Sequence, residues 1–390
     1  MTSPDPRPPD PEDGGHPPPG HRVMLDGSRL VIEALIRSGA DTYVGYPITP
    51  ANLMYSYGFQ RFPTAVAAPD ELTCLQWMSG LSATGRLPVS ATSFAGFALM
   101  LESVNMAYMM ELPMVIVLVQ RLGPSTGSAT IGATGDLALL AGAVSGGYAL
   151  PVLCPTNFRD CWELASLAQH TAVRLRSPVV LLTSKEMVMT RRDFDLSRLA
   201  PIEPVRRDPP DACGVYEAYR PGPDLVPPLL PVGNPCHQVR LTASTHDQSG
   251  LHQSLAPAAL DNTRRLHEKM IVNLPDYLRY DLDEQPDSDT IVIAWDVTGQ
   301  AARHAVEKLR AAGRRVSLLL PKTLIPFADE LTRIVSRYQR VVVAEENLTG
   351  QLRQLLFGAA GRPGLCGVNL IGRLVSPQDI IAAVEGADNG

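Results

Sequence analysis

Hydrophobic positions along this chain fall into short blocks that alternate between helical and strand spacing. Leu30, Val31, Ala34, Leu35 and Ile36 recur at helical spacing and stop at Gly39, and Thr42-Tyr43-Val44 then reads as a short buried strand. Pro47 and Pro50 break that strand, and a helix can follow from Ala51. Residues 64–67 form the next strand, and 71–85 a helix whose apolar face is Leu72, Leu75, Trp77, Met78 and Leu81. A strand at 88–92 precedes a Met-rich helix running from Gly96 to Glu111. The unbroken apolar run 114–119 has the pattern of a central parallel strand covered on both faces. A helix from Leu137, a strand at 148–153, a helix at 157–172 and a strand at 178–182 complete a unit near residue 200.

The second half repeats the alternation after a change of composition. Residues 201–289 are Pro-rich around 221–235, polar through 241–250, and helical around 262–270, which reads as an ordered connector. Strands at 290–294, 316–320 and 341–344 then alternate with helices at 299–312, 329–338 and from Gly350. The pattern predicts an α/β protein with two doubly wound parallel-sheet domains, at 22–200 and 290–390, joined by the 201–289 connector. Eight prolines and almost nothing apolar in the first 20 residues mark 1–21 as a disordered tail.

Composition narrows the function. At 390 residues and 45% hydrophobic content the chain can build two cores, and a net charge of −6 without a basic run argues against nucleic acid and membrane surfaces as partners. The six cysteines (Cys74, Cys154, Cys161, Cys213, Cys236, Cys366) form no CxxC pair and no zinc or iron–sulfur spacing. They read as idle thiols in a reducing cytoplasm, with no metal site in this chain. No secretory signal opens the chain. The apolar stretch 137–153 is interrupted by Gly142, Gly146 and Gly147 and reads as helix, turn and strand, not a membrane span.

Three stretches at predicted strand ends carry the chemistry: Gly45-Tyr46-Pro47-Ile48-Thr49-Pro50, Asp70-Glu71, and Gln120-Arg121-Leu122-Gly123-Pro124-Ser125-Thr126-Gly127. In an open α/β sheet the strands' carboxyl ends share one crevice where ligands bind. Two prolines hold the Thr49 hydroxyl in a stiff loop, although the same loop also fits a plain rigid turn. Acids at a helix start are stabilised by the macrodipole, so one of Asp70 and Glu71 needs no other role. The other can project into the crevice, partly desolvated, and share a proton with a basic ring nitrogen. Arg121 emerges at a strand end with the guanidinium fork suited to a carboxylate, or to a loop-stabilising ion pair. A lone His246 in the polar connector reads as solvated.

Together, in this order, the three stretches resemble the α subunit of the 2-oxoacid:ferredoxin oxidoreductases, thiamine diphosphate enzymes that decarboxylate 2-oxoacids. The likeness runs from about residue 25 to the C-terminus, through Gly135-Asp136-Leu137, and returns over Glu345-Glu346-Asn347 with Thr349-Gly350-Gln351. It implies a thiamine diphosphate pyrimidine-binding-like domain followed by a transketolase C-terminal-like one. Glu71 then matches the glutamate that hydrogen-bonds the aminopyrimidine ring and favours its imino tautomer. Tyr46, Pro47 and Ser93 lie beside the cofactor. Thr49 and Arg121 meet the substrate, and Ser125 and Thr126 complete its binding loop. The resemblance places Mg2+, the diphosphate and a [4Fe-4S] cluster on a β subunit, in an αβ or (αβ)2 assembly. Electrons would pass to ferredoxin and the acyl group to coenzyme A.

The chain departs from the family pattern around the pocket. Ala51-Asn52 replaces the usual Ser or Thr, Ser93-Phe94-Ala95-Gly96 replaces Ser-Gly-Pro-Gly, and Thr134 stands for a Gln before Gly-Asp-Leu. Ser145-Gly146-Gly147 stands for His-Gly-Glu, and Pro69 for an acid. These changes touch the substrate and the acceptor more than the reaction type. A related non-oxidative 2-oxoacid decarboxylase and a non-catalytic scaffold subunit are the alternative readings.

Overall fold

The computed structural model describes residues 21–206 and 214–386. The Pro-rich tail expected over 1–21 lies, apart from His21, outside the described residues, as does Cys213. The first unit runs β1 (Arg22–Asp26), α1 (Gly27–Arg37), β2 (Thr42–Gly45), α2 (Asn52–Arg61), β3 (Thr64–Ala67), α3 (Glu71–Ala83), β4 (Pro88–Thr92) and α4 (Phe94–Met109). It continues through β5 (Met114–Gln120), α5 (Leu137–Ala141), β6 (Val152–Leu153), α6 (Phe158–Leu175), β7 (Pro178–Ser184), α7 (Lys185–Met189) and β8 (Arg191–Asp195). The connector holds α8 (Pro257–Val272), α9 (Leu274–Tyr277) and β9 (Tyr280–Asp283). The second unit follows as β10 (Thr290–Ala294), α10 (Thr298–Ala311), β11 (Val316–Pro321), β12 (Thr323–Ile325), α11 (Asp329–Val335), β13 (Arg340–Glu345), α12 (Gln351–Phe357), β14 (Leu365–Asn369) and α13 (Pro377–Gly386).

The large sheet has the order β12-β6-β7-β5-β4-β2-β3. Its inner strands are parallel throughout, with Val117 of β5 paired to Ala91 on one side and Leu181 on the other. All seven β5 residues are buried, as a strand covered on both faces must be. Helix α1 packs on α6 and α2, and α3 packs on α4. Side-chain caps start these helices where the strand pattern ends: Asp26 accepts from Arg29 N at 3.1 Å and Asn157 from Asp160 N at 2.9 Å.

The second sheet, β14-β13-β10-β11-β9, is parallel except for the edge strand β9. One face packs into the large core through Ile291, Ile293, Trp295 and Leu319, and the other packs on α10 and α13 through Val292, Leu318 and Ile380. Strand β12 leaves the second unit to pair antiparallel with β6, so the two units share a sheet as well as a core.

The connector is pinned by buried charge. Glu111 is fully buried and takes Lys269 Nζ at 2.6 Å and the Arg265 guanidinium. Burial alone would raise the Glu111 carboxyl, but Lys269 and Arg265 outweigh it and hold it down at about 2. His246 corrects its sequence reading: it is fully buried, its Nδ1 lies 2.6 Å from the Ser244 carbonyl, and its ring packs on Tyr219. Desolvation lowers its basicity, so it serves as a neutral core group. Cys236 also departs from the idle-thiol reading: it sits on an exposed stretch of the connector and is disulfide-bonded, whereas Cys74, Cys154, Cys161 and Cys366 are free.

Candidate active site

Strands β5, β4, β2 and β3 are neighbours and run parallel, so the segments that follow them leave from one edge of the sheet. Residues 46–50 follow β2, Asp70-Glu71 follow β3, Ser93 follows β4 and Arg121 follows β5. Each sequence-predicted stretch therefore reaches the same crevice side.

The acid pair divides its labour. Asp70 is the N-cap of α3 and accepts from Thr73 N at 2.7 Å. Glu71 is the first helical residue, only 6% exposed, and among the described residues its carboxylate has no hydrogen-bond partner. The carboxylate is free to pair with an incoming group, and the α3 N-terminus favours its charge. Room beside it comes from Gly96 in the first turn of α4, where a Cβ would stand 2.7 Å from Glu71 Oε1 and 2.2 Å from Thr92 Oγ1. Ser93, the N-cap of α4, makes no side-chain cap bond, and its buried Oγ is unpartnered. Phe94 is half-buried at the start of that helix.

Arg121 is 5% exposed and donates from Nη1 to the Thr49 carbonyl at 2.5 Å, which joins the first and third motifs directly. Its Nε is buried and unpartnered. Behind it, Gln120 accepts from Asp136 N at 3.1 Å and donates to Asp296 Oδ2 at 3.3 Å. Asp136 is buried, its Oδ2 has no partner, and burial, opposed by attraction to Arg121, pushes its carboxyl up to about 7. Tyr46, Pro47, Ser125 and Thr126 are exposed, so these four face outward from the protein.

The Glu345-Glu346-Asn347 stretch serves the junction of the two units. Glu345 is fully buried and accepts from Leu352 N at 2.8 Å and Arg353 N at 3.0 Å, capping α12. Thr134 exchanges bonds with the Glu346 backbone at 2.9 and 3.0 Å, and Gln351 Nε2 donates to the Gly135 carbonyl at 2.7 Å. Thr134 is thus committed to this junction. A cavity of about 440 Å³ lies elsewhere, between α6, Ala200–Ile202 and Arg279–Asp281, and none of the expected site residues lines it.

Sequence reasoning gave no role to Asp136, Gln120 or Asp296. The Gly135-Asp136-Leu137 string and the Gln120 that opens the third stretch were the local signals, because these groups meet through pairings far apart in the chain.

Residues 33–264 match the family described as "Pyruvate flavodoxin/ferredoxin oxidoreductase, thiamine diP-bdg", and 288–362 match "Pyruvate:ferredoxin oxidoreductase core domain II". The chain is 28% identical to the 2-oxoglutarate synthase subunit KorA of Methanocaldococcus jannaschii, covering 84% of this chain and 89% of that one. It is 27% identical to the ketoisovalerate oxidoreductase subunit VorB of Methanothermobacter thermautotrophicus, covering 93% and 97%. A 2-oxoglutarate:ferredoxin oxidoreductase from Magnetococcus marinus, solved with 2-oxoglutarate, coenzyme A and succinyl-CoA bound, superposes with a TM-score of 0.88 at 26% identity over 94% of this chain and 65% of that chain. A split-gene transketolase, at 15% identity and a TM-score of 0.52, shares the fold alone. With matches across both units, this chain belongs to the 2-oxoacid:ferredoxin oxidoreductase family, as a subunit of the alpha type.

Proposed function

We propose that this chain supplies the proton-handling and substrate-orienting half of a thiamine-dependent 2-oxoacid oxidoreductase whose other half is a β subunit. The observation that carries the reading is Glu71: only 6% exposed, in the first turn of α3 and placed at the shared strand edge. Thiamine diphosphate, when bound, provides the electron sink that decarboxylation requires. The unpaired acid, the glycine beside it and the orphan Ser93 hydroxyl suit the pyrimidine end of that cofactor. Glu71 would hold the pyrimidine ring nitrogen through a shared proton supplied by its own carboxyl group, which would favour the tautomer that acts as a base. The diphosphate, Mg2+ and iron–sulfur cluster belong to the β subunit in this reading, with ferredoxin taking the electrons and coenzyme A the acyl group.

Arg121 receives the substrate carboxylate, held at the right height by its bond to the Thr49 carbonyl. The Thr49 hydroxyl, Ser125 and Thr126 orient the remaining oxygens, with Tyr46 and Pro47 walling the cofactor side. A guanidinium stabilises a carboxylate that leaves as neutral carbon dioxide, so it favours binding and opposes the loss of charge. Arg121 therefore sets affinity more than rate.

The need for a partner agrees with the outer faces of α3 and α4, where Leu72, Trp77, Leu99 and Met106 are exposed. Such apolar side chains around an open site suit a protein surface better than water. The test is reconstitution with the accompanying subunit. Glu71→Ala is expected to abolish 2-oxoacid-dependent reduction of a one-electron dye while the complex still assembles; turnover like the wild type overturns the reading.

A further inference from the structure

The loop that carries Arg121 is closed from the second unit. It leaves the end of β5 at Arg121 and returns to the start of α5 at Asp136, with Ser125 and Thr126 exposed between. Residues that follow β13 hold its returning end. Thr134 N donates to the Glu346 carbonyl at 2.9 Å and Asn347 Nδ2 to the Thr134 carbonyl at 3.1 Å. Gln351 reaches the Gly135 carbonyl at 2.7 Å and the Ala138 N–H at 2.8 Å. At the starting end the tie is a side chain. Gln120, fully buried beside Arg121, donates from Nε2 to Asp296 Oδ2 at 3.3 Å and accepts from Asp136 N at 3.1 Å. One amide thus joins both ends of the loop to each other and to the second unit.

Asp296 lies just past β10 and is fully buried. Its other oxygen accepts from the Ser184 hydroxyl and from Val297 N, each at 2.6 Å, so the carboxylate cannot turn without breaking those bonds. Its backbone is left-handed, with φ at 50°, which is unfavourable for a residue with a side chain and persists where the surroundings impose it. The strained backbone and three donors together aim this acid at the residue before Arg121.

We propose that Asp296 is a positioning residue for substrate binding: through Gln120 it fixes the loop from which Arg121 reaches the substrate carboxylate. The second unit then takes part in substrate recognition without touching the substrate. This rests on the reading of Arg121 given above and deepens it. Among the described residues the Arg121 head makes one hydrogen bond, to the Thr49 carbonyl, and its Nε is unpartnered. Its aim therefore depends on where its backbone stands, and small displacements of a charge-assisted contact are expensive.

An exchange of acid and amide tests this. In Asp296→Asn the retained oxygen still serves Ser184 and Val297 N, and the new NH2 faces the NH2 of Gln120. In Gln120→Glu two carboxylate oxygens face each other instead. With both substitutions the bond re-forms in the reverse sense, and the second oxygen at position 120 still accepts from Asp136 N. The complex with its partner subunit is assayed with the fastest of pyruvate, 2-oxoglutarate and 2-oxoisovalerate. Each single substitution is expected to raise KM about tenfold with kcat within about twofold of wild type, and the pair to return KM toward the wild-type value. A merely structural bond lowers the fraction of active complex, so a reduced kcat at unchanged KM overturns the proposal, as does a pair that fails to recover. Should one single variant fail to assemble, the other and the pair decide by the same comparison. Failure of both singles, with the pair assembled, marks the bond as structural and also overturns it. If Arg121→Ala raises KM while these variants leave it unchanged, the Asp296 inference falls and the Arg121 reading stands. If Arg121→Ala leaves KM unchanged, the Arg121 reading falls and takes the inference with it. A complex inactive on all three acids contradicts the proposed function itself.

Discussion

Glu71 and its neighbours show how one missing methyl group prepares a site. Gly96 lies against the glutamate so closely that alanine there would force Glu71 and Thr92 to move, since its Cβ would meet their oxygens at 2.7 and 2.2 Å. In the role proposed for Glu71 small displacements are expensive, so Gly96→Ala is expected to lower kcat by roughly 10²-fold with KM for the 2-oxoacid little changed; steady-state kinetics of the reconstituted complex checks it. Arg121→Ala is expected to act the other way, raising KM by about 10- to 100-fold with a smaller effect on kcat, from the loss of charge-assisted hydrogen bonds. At this scale the sequence was partly legible. Thr49 and Arg121 do meet, but through the threonine's carbonyl, and the hydroxyl on which sequence reasoning relied plays no part in that bond. Residue type and position leave the acid pair open, because either acid suits a first helical turn; the resemblance points to Glu71, and in the structure Asp70 is the one that caps the helix.

Among the elements, agreement followed how much of each was decided locally. Strands β3, β4 and β10 begin and end where their apolar runs do, since turn residues bound them on both sides. The strand expected over 148–153 shrinks to Val152–Leu153, because Tyr148 instead bridges back to Val144 across Gly146-Gly147. Helix α4 starts at Phe94, before Gly96, as Ser93 takes the cap position. Strands β1, β8 and β12 were invisible: β1 and β8 pair only with each other, and the three residues of β12 gain their strand character from β6, far away in sequence. Helix α12 depends on Glu345, whose buried carboxylate takes the Leu352 and Arg353 N–H groups. Glu345→Ala leaves those donors unmatched and is expected to cost about 2–3 kcal/mol in urea unfolding of the isolated chain.

For the whole molecule, the junction between the two units is a buried acidic seam. Burial lifts Asp296 and Glu346 to about 7, despite their hydrogen bonds to Ser184 and Val297 N, and to Val375 N and Thr298, respectively. Acids raised in the folded state bind more protons there than when unfolded, so their contribution is complete below pH 4 and is lost as pH rises to about 7. Melting temperature is therefore expected to fall between pH 5 and about 7.5, and Asp296→Asn is expected to flatten that fall. The two-unit plan was readable from repeated βα alternation, whereas the shared sheet through β12 was not, because no local pattern encodes which sheet a strand joins. No helix of the described residues is long and apolar enough to cross a membrane. The central claim concerns a contact between this chain and a cofactor carried by its neighbour. A structure of the chain with its partner subunit and thiamine diphosphate measures it directly: a Glu71 carboxylate oxygen is predicted about 2.7 Å from the pyrimidine ring nitrogen, and a carboxylate turned to solvent or bonded only to protein contradicts the account.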